Sequence, residues 1–254
     1  MLDPEIEALL EAAGAVEPCE EGRRALIRVS SLNDRLFLHS AFPTDDEHAV
    51  FFGPDSYRFA DLILAELGQR PAAPGPRLVD IGTGAGVGAI VAAGACQGLR
   101  PAGTDVNPDA IRLARINALA AGVDLELFTG EGLGAVAGPI DLVTANPPYI
   151  IDEAGRLYRD GGGLHGGQVA LDMAAEGVGR LAPGGRLILY TGSAIVGGED
   201  RLGQALQRLA REHGCSLRYR ELDPDVFGEE LESEAYRDVE RIALVAGVIA
   251  RPER

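Results

Sequence analysis

Residue types that usually serve metal or redox chemistry are scarce in this sequence. It has three cysteines, Cys19, Cys96 and Cys215, which lie far apart without a close pair, and four scattered histidines. Structural zinc sites need closely spaced cysteine or histidine ligands, and disulfide frameworks need a paired set of cysteines. The sequence therefore predicts reduced thiols and no metal site.

Lysine is missing altogether, so that all 23 basic residues are arginine, against 39 acidic residues and a formal net charge of −16. The acid is concentrated at two places, because residues 1–22 and 221–240 hold many carboxylates and together only one arginine, Arg237. Such a surface repels phosphate backbones, whose neutralisation drives most nucleic-acid affinity. Binding to bulk nucleic acid is therefore disfavoured, and a protein substrate or a basic partner fits better.

Long apolar runs are also missing. No stretch reaches the roughly 18 uninterrupted apolar residues expected of a membrane-spanning helix. The chain opens with Asp3, Glu5 and Glu7 instead of a basic region before an apolar one, which argues against a signal peptide. We expect a cytoplasmic protein with no membrane span.

From residue 77 onward, short apolar strands alternate with helical segments. The strand-like runs are RLVDI, LRPAGTDV, VDLELF, IDLVTAN and GRLILYT. This alternation predicts βαβ units and a parallel sheet with helices on both faces. CSLRYREL and RIALVAGVIA then follow each other without a helical pattern between them, which predicts an antiparallel last strand. The predicted fold is a doubly wound α/β fold with a mostly parallel, seven-stranded sheet.

The first 50 residues have a different pattern. A helix is predicted over 3–13, and the runs ALIRVS and RLFLHS predict a hairpin. We therefore divide the chain into a helix–hairpin extension at 1–50, a candidate substrate-recognising segment, and a main domain at 51–254. The proline-rich residues 71–76 predict a stiff connector between a preceding helix and the first strand of the main domain.

The first chemical motif is VDIGTGAGVGAI at residues 79–90, between a predicted strand and a predicted helix. Glycines there let the backbone turn sharply and let a ligand approach closely. Asp105 follows Gly86 by 19 residues at the end of the next strand, where a carboxylate can accept hydrogen bonds from ribose hydroxyls. Asp80 directly precedes the glycines and disfavours a pyrophosphate. The motif predicts a cationic nucleoside ligand.

The second motif is Asn146-Pro147-Pro148-Tyr149, directly after the strand IDLVTA. An amide or a ring-attached amine has a delocalised lone pair and is a poor nucleophile. The side-chain oxygen of Asn146 and a backbone carbonyl of the proline turn can accept its two N–H bonds and orient the nitrogen. Tyr149 offers a flat face for stacking on a planar group. A proline-rich loop with Tyr149 simply packed is the structural alternative.

Together, VDIGTGAG, GTDVNPDAIRLARINA and DLVTANPPYI resemble the class I S-adenosylmethionine-dependent methyltransferases of the small-domain, release-factor glutamine methyltransferase-like group. The resemblance covers about residues 48–250 and implies a Rossmann-like methyltransferase fold, S-adenosylmethionine as cofactor and methyl transfer to nitrogen. It implies that the acceptor is held by Asn146, Pro147 and Tyr149. The cofactor contacts that it implies are Asp80, Gly82, Thr83, Gly84, Gly86, Asp105, Val106, Glu131 and Asn146.

Several segments depart from the family or stay open. The N-terminal 50 residues replace the helical domain that the release-factor enzymes carry, and Pro54 and Tyr57 match the family only loosely. The glycine-rich loop at 152–168 is expected to be mobile, with Tyr158, Arg159 and His165 as candidate substrate contacts or as solvated loop residues. The acidic segment 222–236 is either a solvated loop or a partner-docking surface.

The acceptor class also stays open at this point. A glutamine side chain of a protein leads, an RNA base or a small metabolite follows, and an inactive cofactor-binding scaffold subunit is the alternative from another class. An RNA substrate would require a basic face, for which the candidate residues are Arg23, Arg24, Arg28, Arg156 and Arg159.

Overall fold

The computed structural model describes residues 3–20, 22–44, 46–69, 75–152, 156 and 158–253. The chain begins with helix α1 (Pro4–Ala12), strands β1 (Val16–Cys19) and β2 (Gly22–Ala25), and strands β3 (Ile27–Leu32) and β4 (Arg35–Ser40). Helix α1 and the β3–β4 hairpin confirm the predicted helix and hairpin. The antiparallel pair β1–β2 was not predicted, because its exposed polar residues carry no hydrophobic alternation.

The remaining chain supplies five helices and eight strands among the described residues. They are α2 (Pro54–Gln69), β5 (Arg77–Ile81), α3 (Val87–Ala95), β6 (Arg100–Asp105), α4 (Pro108–Ala120), β7 (Glu126–Thr129), β8 (Ile140–Ala145), α5 (Gln168–Arg180), β9 (Leu181–Val196), β10 (Glu199–Asp200), α6 (Arg201–Glu212), β11 (Ser216–Asp223) and β12 (Arg241–Ala250). Two short 3₁₀ helices, Gly228–Glu232 and Glu234–Tyr236, precede β12. The predicted connector at 71–76 lies mostly outside the described residues.

Seven of these strands form the central sheet in the order β11-β12-β9-β8-β5-β6-β7, and the two-residue β10 is attached to β9. Strands β5 to β9 pair in parallel, whereas β12 runs antiparallel to both β9 and β11. The predicted α/β fold with its antiparallel last strand is confirmed. Strand order reverses around β5, and in such sheets ligands bind beyond the carboxyl ends of the strands at this reversal.

Strand β9 is longer than the sequence pattern indicates. The run GRLILYT predicts a strand at 185–191, but the observed strand extends to Val196 because β12 pairs with it over ten consecutive positions. Residues 185–195 of this strand are buried. Its second half is stabilised by pairing with the antiparallel neighbour β12, and no sequence pattern of its own indicates it.

The hydrophobic core has two large parts. One holds residues of α2, α3 and α4, and the other holds residues of α5 and α6. Phe37 of β4 is fully buried in the first part, 5.5 Å between ring centroids from Phe52. The β3–β4 hairpin is therefore packed against the helices that flank the glycine loop.

Asn117 of α4 fixes the hairpin at this junction. It is buried, and its side-chain oxygen accepts the Leu38 backbone N–H at 2.7 Å. Its amide nitrogen donates to the carbonyls of Leu38 at 3.0 Å and of Ala85, in the glycine loop, at 2.8 Å. One side chain thus links α4, β4 and the glycine loop.

Candidate active site

A cleft of about 470 Å³ lies beyond the carboxyl ends of β5, β6 and β8. It is lined by residues that follow these three strands, by the segment around Phe51, and by one face of α5. The sequence-predicted site residues that line it are Asp80, Gly82, Thr83, Gly84, Asp105, Val106, Glu131, Asn146 and Pro147. The fold therefore brings both motifs to one cavity, and the roles assigned to these residues stay predictions.

The glycine loop turns back from β5 into α3 through three residues with positive φ. Gly82, Gly84 and Gly86 have φ values of 65°, 55° and 86°, a region in which a side chain would be strained. Gly84 donates its backbone N–H to Asp105 at 2.8 Å, which closes the loop onto the end of β6. Gly86 is not among the cleft-lining residues, because it packs against Ala114 of α4.

Asp80 is buried at the end of β5 and lines the cleft. Its carboxylate accepts hydrogen bonds from the hydroxyls of Thr83 and Thr144, both at 2.7 Å, and from the backbone N–H of Ala89 at 3.3 Å. Burial raises the pKa of Asp80 to about 6, and the hydrogen bonds oppose this rise. The Asp80 carboxylate is therefore mostly ionised at pH 7 and takes up a proton at slightly acidic pH.

Asp105 ends β6 with its carboxylate held in a fixed orientation. One oxygen accepts the Gly84 N–H at 2.8 Å and the other accepts the Asn107 N–H at 2.9 Å. Burial raises the pKa of Asp105, and these backbone donors oppose the rise. Each oxygen keeps a second lone pair, which suits the side chain to accept hydrogen bonds from a diol.

Asn146 follows β8 directly and is half-buried at the cleft surface. No described residue forms a hydrogen bond with its side-chain amide. An asparagine amide has two donors and an acceptor that need partners when shielded from water. The Asn146 amide is therefore available to a ligand that enters the cleft, beside the buried Pro147, which also lines it.

Tyr149 lies elsewhere than the stacking hypothesis requires. Its ring is buried and is not among the groups that line the cleft, and its hydroxyl donates to Asp55 at 2.7 Å. The ring meets Phe227 edge to face, with 5.8 Å between centroids. In this structure Tyr149 has packed partners, which agrees with the structural alternative, and it offers no face to a ligand.

Residues 48–211 match the methyltransferase small domain family. The chain belongs to this family. Two curated relatives named "Release factor glutamine methyltransferase" support the resemblance. That of Deinococcus radiodurans is 32% identical over 180 residues, 66% of this chain and 63% of the relative. That of Cereibacter sphaeroides is 31% identical over 206 residues, 76% of this chain and 69% of the relative.

This small-domain methyltransferase chain spans 63%, 51%, 39% and 40% of the length of the first four curated relatives. Solved structures share its fold at low identity. The tRNA m1G37 methyltransferase of M. jannaschii has a TM-score of 0.59 at 15% identity, over 92% of this chain and 59% of that one. TYW2 of M. jannaschii, solved with AdoMet, has a TM-score of 0.58 at 11% identity, over 90% of each chain. The expected Rossmann-like methyltransferase fold is confirmed.

In this methyltransferase-family chain, helix α5 lines the cleft with residues that sequence reasoning missed. They are Val169, Asp172, Met173 and Glu176. Glu176 accepts the Leu133 backbone N–H at 2.7 Å and so holds the loop that contains Glu131, which is exposed at the cleft. The helical periodicity of α5 was predicted, but no pattern shows which face of a helix meets a cavity.

The weaker candidates separate into one that reaches the cleft and four that do not. Tyr158 lines the cleft, donates to the Thr44 carbonyl at 2.8 Å, and stacks on Phe51 with 6.1 Å between centroids. Arg159 pairs with Asp152 and Glu230, and His165 pairs with Asp238 at 3.0 Å. Neither Pro54, which begins α2, nor Tyr57, which packs on Phe52, is a lining residue.

The charge around the cleft is negative. The described lining contains no arginine. It contains six carboxylates, those of Asp80, Asp105, Glu131, Asp160, Asp172 and Glu176. Four of the five arginines of the candidate basic face, all except Arg28, are held in ion pairs. Arg23 pairs with Glu7 at 2.8 Å, and Arg24 bonds to Glu17 at 2.8 Å. Arg156 and Arg159 pair with Asp152.

The described part of the chain lacks two further features. It contains no group of three or more histidine, cysteine or acidic side chains that could hold a metal ion. None of its helices is long and apolar enough to span a bilayer.

Proposed function

We propose that the protein transfers a methyl group from S-adenosylmethionine to a planar nitrogen, and that the acceptor is the side-chain amide of a protein glutamine. The observation that carries the proposal is the open amide of Asn146 in the cleft that the glycine loop and Asp105 also line. The names of the curated relatives support the acceptor class, and the AdoMet complex of a fold neighbour supports the cofactor.

The chemistry of the lining fits the proposed cofactor. S-adenosylmethionine supplies an electrophilic methyl group on a positively charged sulfur. Asp105 suits the two ribose hydroxyls, and the glycines leave room for the backbone to approach the ligand. Asp80 and the other cleft carboxylates favour a cation over a phosphate. Glu131 and Val106, both exposed in the cleft, complete the proposed cofactor contacts.

The acceptor side of the proposal depends on Asn146 and Pro147. The side-chain oxygen of Asn146 and the carbonyl of the proline turn accept the two N–H bonds of the amide. This orients the nitrogen lone pair at the methyl carbon. A bond then forms between nitrogen and carbon while the carbon–sulfur bond breaks, and the nitrogen loses one proton to water. The carbonyl acceptors stabilise the positive charge that develops on nitrogen.

The acidic cleft favours a protein amide over an RNA base. RNA approaches with its phosphates, which the six cleft carboxylates repel, and four arginines that could attract them are already paired with acids. A glutamine side chain is neutral and brings no such repulsion. We include in the proposal a cytoplasmic setting and a substrate-recognising role for residues 1–50, beside a methyltransferase domain at 51–254.

Transfer of radiolabelled methyl from S-adenosylmethionine to protein, RNA and small-molecule fractions of a cell extract tests the proposal. Label should enter protein. Asn146→Ala should lower turnover by about a hundredfold with cofactor affinity nearly intact, because it removes an orienting acceptor. Gln207→Ala, an exposed amide on α6, is the matched control and should change neither quantity.

Asp105→Ala should behave in the opposite way and weaken cofactor binding first. Label in RNA would replace the glutamine acceptor by a base. Full activity of Asn146→Ala would remove Asn146 from the acceptor site. Cofactor binding without any label transfer would instead support an inactive scaffold subunit.

A further inference from the structure

Tyr149, the last residue of the acceptor turn, occupies a socket built from three distant parts of the chain. Its hydroxyl donates to Asp55 in the first turn of α2 at 2.7 Å. Its ring edge packs on Phe227, in the acidic segment before β12. Its ring face lies against Gly192 of β9, where a Cβ atom would overlap the ring.

Asp55 is the polar centre of this socket. Its second oxygen accepts the hydroxyl of Tyr190, a fully buried residue of β9, at 2.8 Å. Burial and the neighbouring carboxylate raise the pKa of both tyrosines, so both hydroxyls stay protonated and donate. One carboxylate thus ties α2 and β9 to the acceptor turn.

The first residues of the turn lack side-chain hydrogen bonds to described residues, while Gly161 and Gly166 pack closely against the carbonyls of Pro148 and Tyr149. The amide of Asn146 has no partner among the described residues, and Pro147 and Pro148 have no N–H to donate. Tyr149 is therefore the first side chain after Asn146 that is both buried and hydrogen-bonded. A shift of its ring would move the carbonyl of the proline turn and Asn146 together.

We propose that Asp55 is a positioning residue for methyl transfer, which acts by holding Tyr149 in this socket and so fixes Asn146 and Pro147 against the acceptor. In this arrangement Tyr149 anchors the turn and does not stack on the acceptor. The consequence for turnover rests on the proposed function. The anchoring itself does not, because it is a property of the fold.

The test compares four variants. Asp55→Leu replaces the carboxylate by an apolar group with the same branching and number of heavy atoms, Asp55→Asn keeps an acceptor oxygen, and Tyr149→Phe removes only the hydroxyl. Tyr219→Phe is the matched control. Tyr219 of β11 donates its hydroxyl to Asp200 at 2.6 Å, a similar part-buried tyrosine–aspartate bond that does not contact the acceptor turn. The cofactor affinity of each variant is measured by calorimetry. Its rate of methyl transfer is measured under single-turnover conditions, with the fraction of the cell extract that accepts label as the substrate.

Asp55→Leu and Tyr149→Phe should slow transfer by roughly tenfold to a hundredfold, as expected for a misplaced reacting geometry, with cofactor Kd unchanged. In a fifth variant that combines them, the two effects should not multiply fully, because both remove the Tyr149–Asp55 hydrogen bond, although Asp55→Leu also removes the bond to Tyr190. Asp55→Asn should recover most of the rate. Tyr219→Phe should transfer at the wild-type rate.

Hydrogen exchange provides a readout that needs no activity. The N–H of Ile150 bonds to Arg159 at 3.3 Å and that of Ile151 bonds to the Tyr236 hydroxyl at 2.8 Å. Both should exchange faster in Asp55→Leu and Tyr149→Phe than in Tyr219→Phe. Equal exchange and equal rates in all three would overturn the inference. If the wild-type protein transferred no label but the Asp55→Leu and Tyr149→Phe variants still exchanged faster, the anchoring would be upheld and only the proposed methyl transfer refuted.

Discussion

Single residues of this site are specialised by their hydrogen-bond partners more than by their residue type. Asp80 and Asp105 are both buried carboxylates of the cleft. Asp80 is held by two hydroxyls and one backbone N–H, and Asp105 by two loop N–H groups. The sequence identified Asp80 from its position before the glycines and Asp105 from its position at the end of the next strand, but their degree of burial and their partners come from the fold.

The raised pKa of Asp80, about 6, predicts a pH dependence of cofactor binding. A cationic ligand favours the ionised carboxylate, so affinity should fall by about tenfold between pH 7 and pH 5 as Asp80 takes up a proton. Calorimetric titration with S-adenosylmethionine across this range measures the effect. Asp80→Asn should bind weakly at both values with a smaller pH dependence.

The protonation of Asp80 also affects the stability of the fold, in the direction opposite to its effect on cofactor affinity. Its pKa in the folded state exceeds the value of 3.8 expected in the unfolded chain, so the folded state binds more protons between about pH 4 and pH 6. The free energy of unfolding should therefore decrease as pH rises through this window.

For the binding prediction, a cofactor affinity of the wild type that does not change from pH 7 to pH 5 would contradict the assignment of Asp80 to the cofactor site.

Among the elements, the contact between the β3–β4 hairpin and α4 has the sharpest consequence. Asn117 supplies all three of its hydrogen bonds to backbone groups, and two of those groups belong to Leu38. Asn117→Ala would leave them unpaired beside a buried cavity. We expect a loss of about 2–4 kcal/mol in the free energy of unfolding.

Urea unfolding of Asn117→Ala measures this loss, with Gln207→Ala as the exposed reference, for which a change within about 0.5 kcal/mol is expected. Cofactor affinity should also fall, because Ala85 is part of the glycine loop that Asn117 supports. A destabilisation no larger than that of the reference would show that the hairpin is not held at this point.

The acidic segment before β12 is an element whose role the sequence left between a solvated loop and a docking surface. Its apolar residues pack inward, since Tyr236 is fully buried and Phe227 contacts Tyr149. The segment is thus part of the support for the acceptor turn, while carboxylates such as Glu229 and Glu232 stay exposed.

For the whole molecule, a net charge of −16 and an acidic cleft predict that RNA does not bind. Filter binding of total RNA should show no retention above background, from about 50 to about 200 mM salt, because the net negative charge opposes the phosphate contacts that drive such binding. A basic methyltransferase assayed in parallel serves as the positive control. Retention that falls steeply with salt would refute the prediction and reopen the RNA acceptor.

The sequence by itself determined the alternation of strands and helices from β5 onward, the antiparallel last strand, and the two motifs at the carboxyl ends of β5 and β8. These features follow from local periodicity and from glycine and proline chemistry, which act over a few residues. The joining of Asp80, Asp105 and Asn146 in one cleft also follows, since parallel strands end at the same edge of a sheet.

Only the tertiary structure decided where Tyr149 lies, which face of α5 lines the cleft, and how far β9 extends. Tyr149 meets Asp55 across 94 residues, and Glu176 meets Leu133 across 43. Local pattern carries no information on such pairs, because each partner is an ordinary residue in its own segment. The packing of distant elements therefore turned a candidate stacking residue into a buried one.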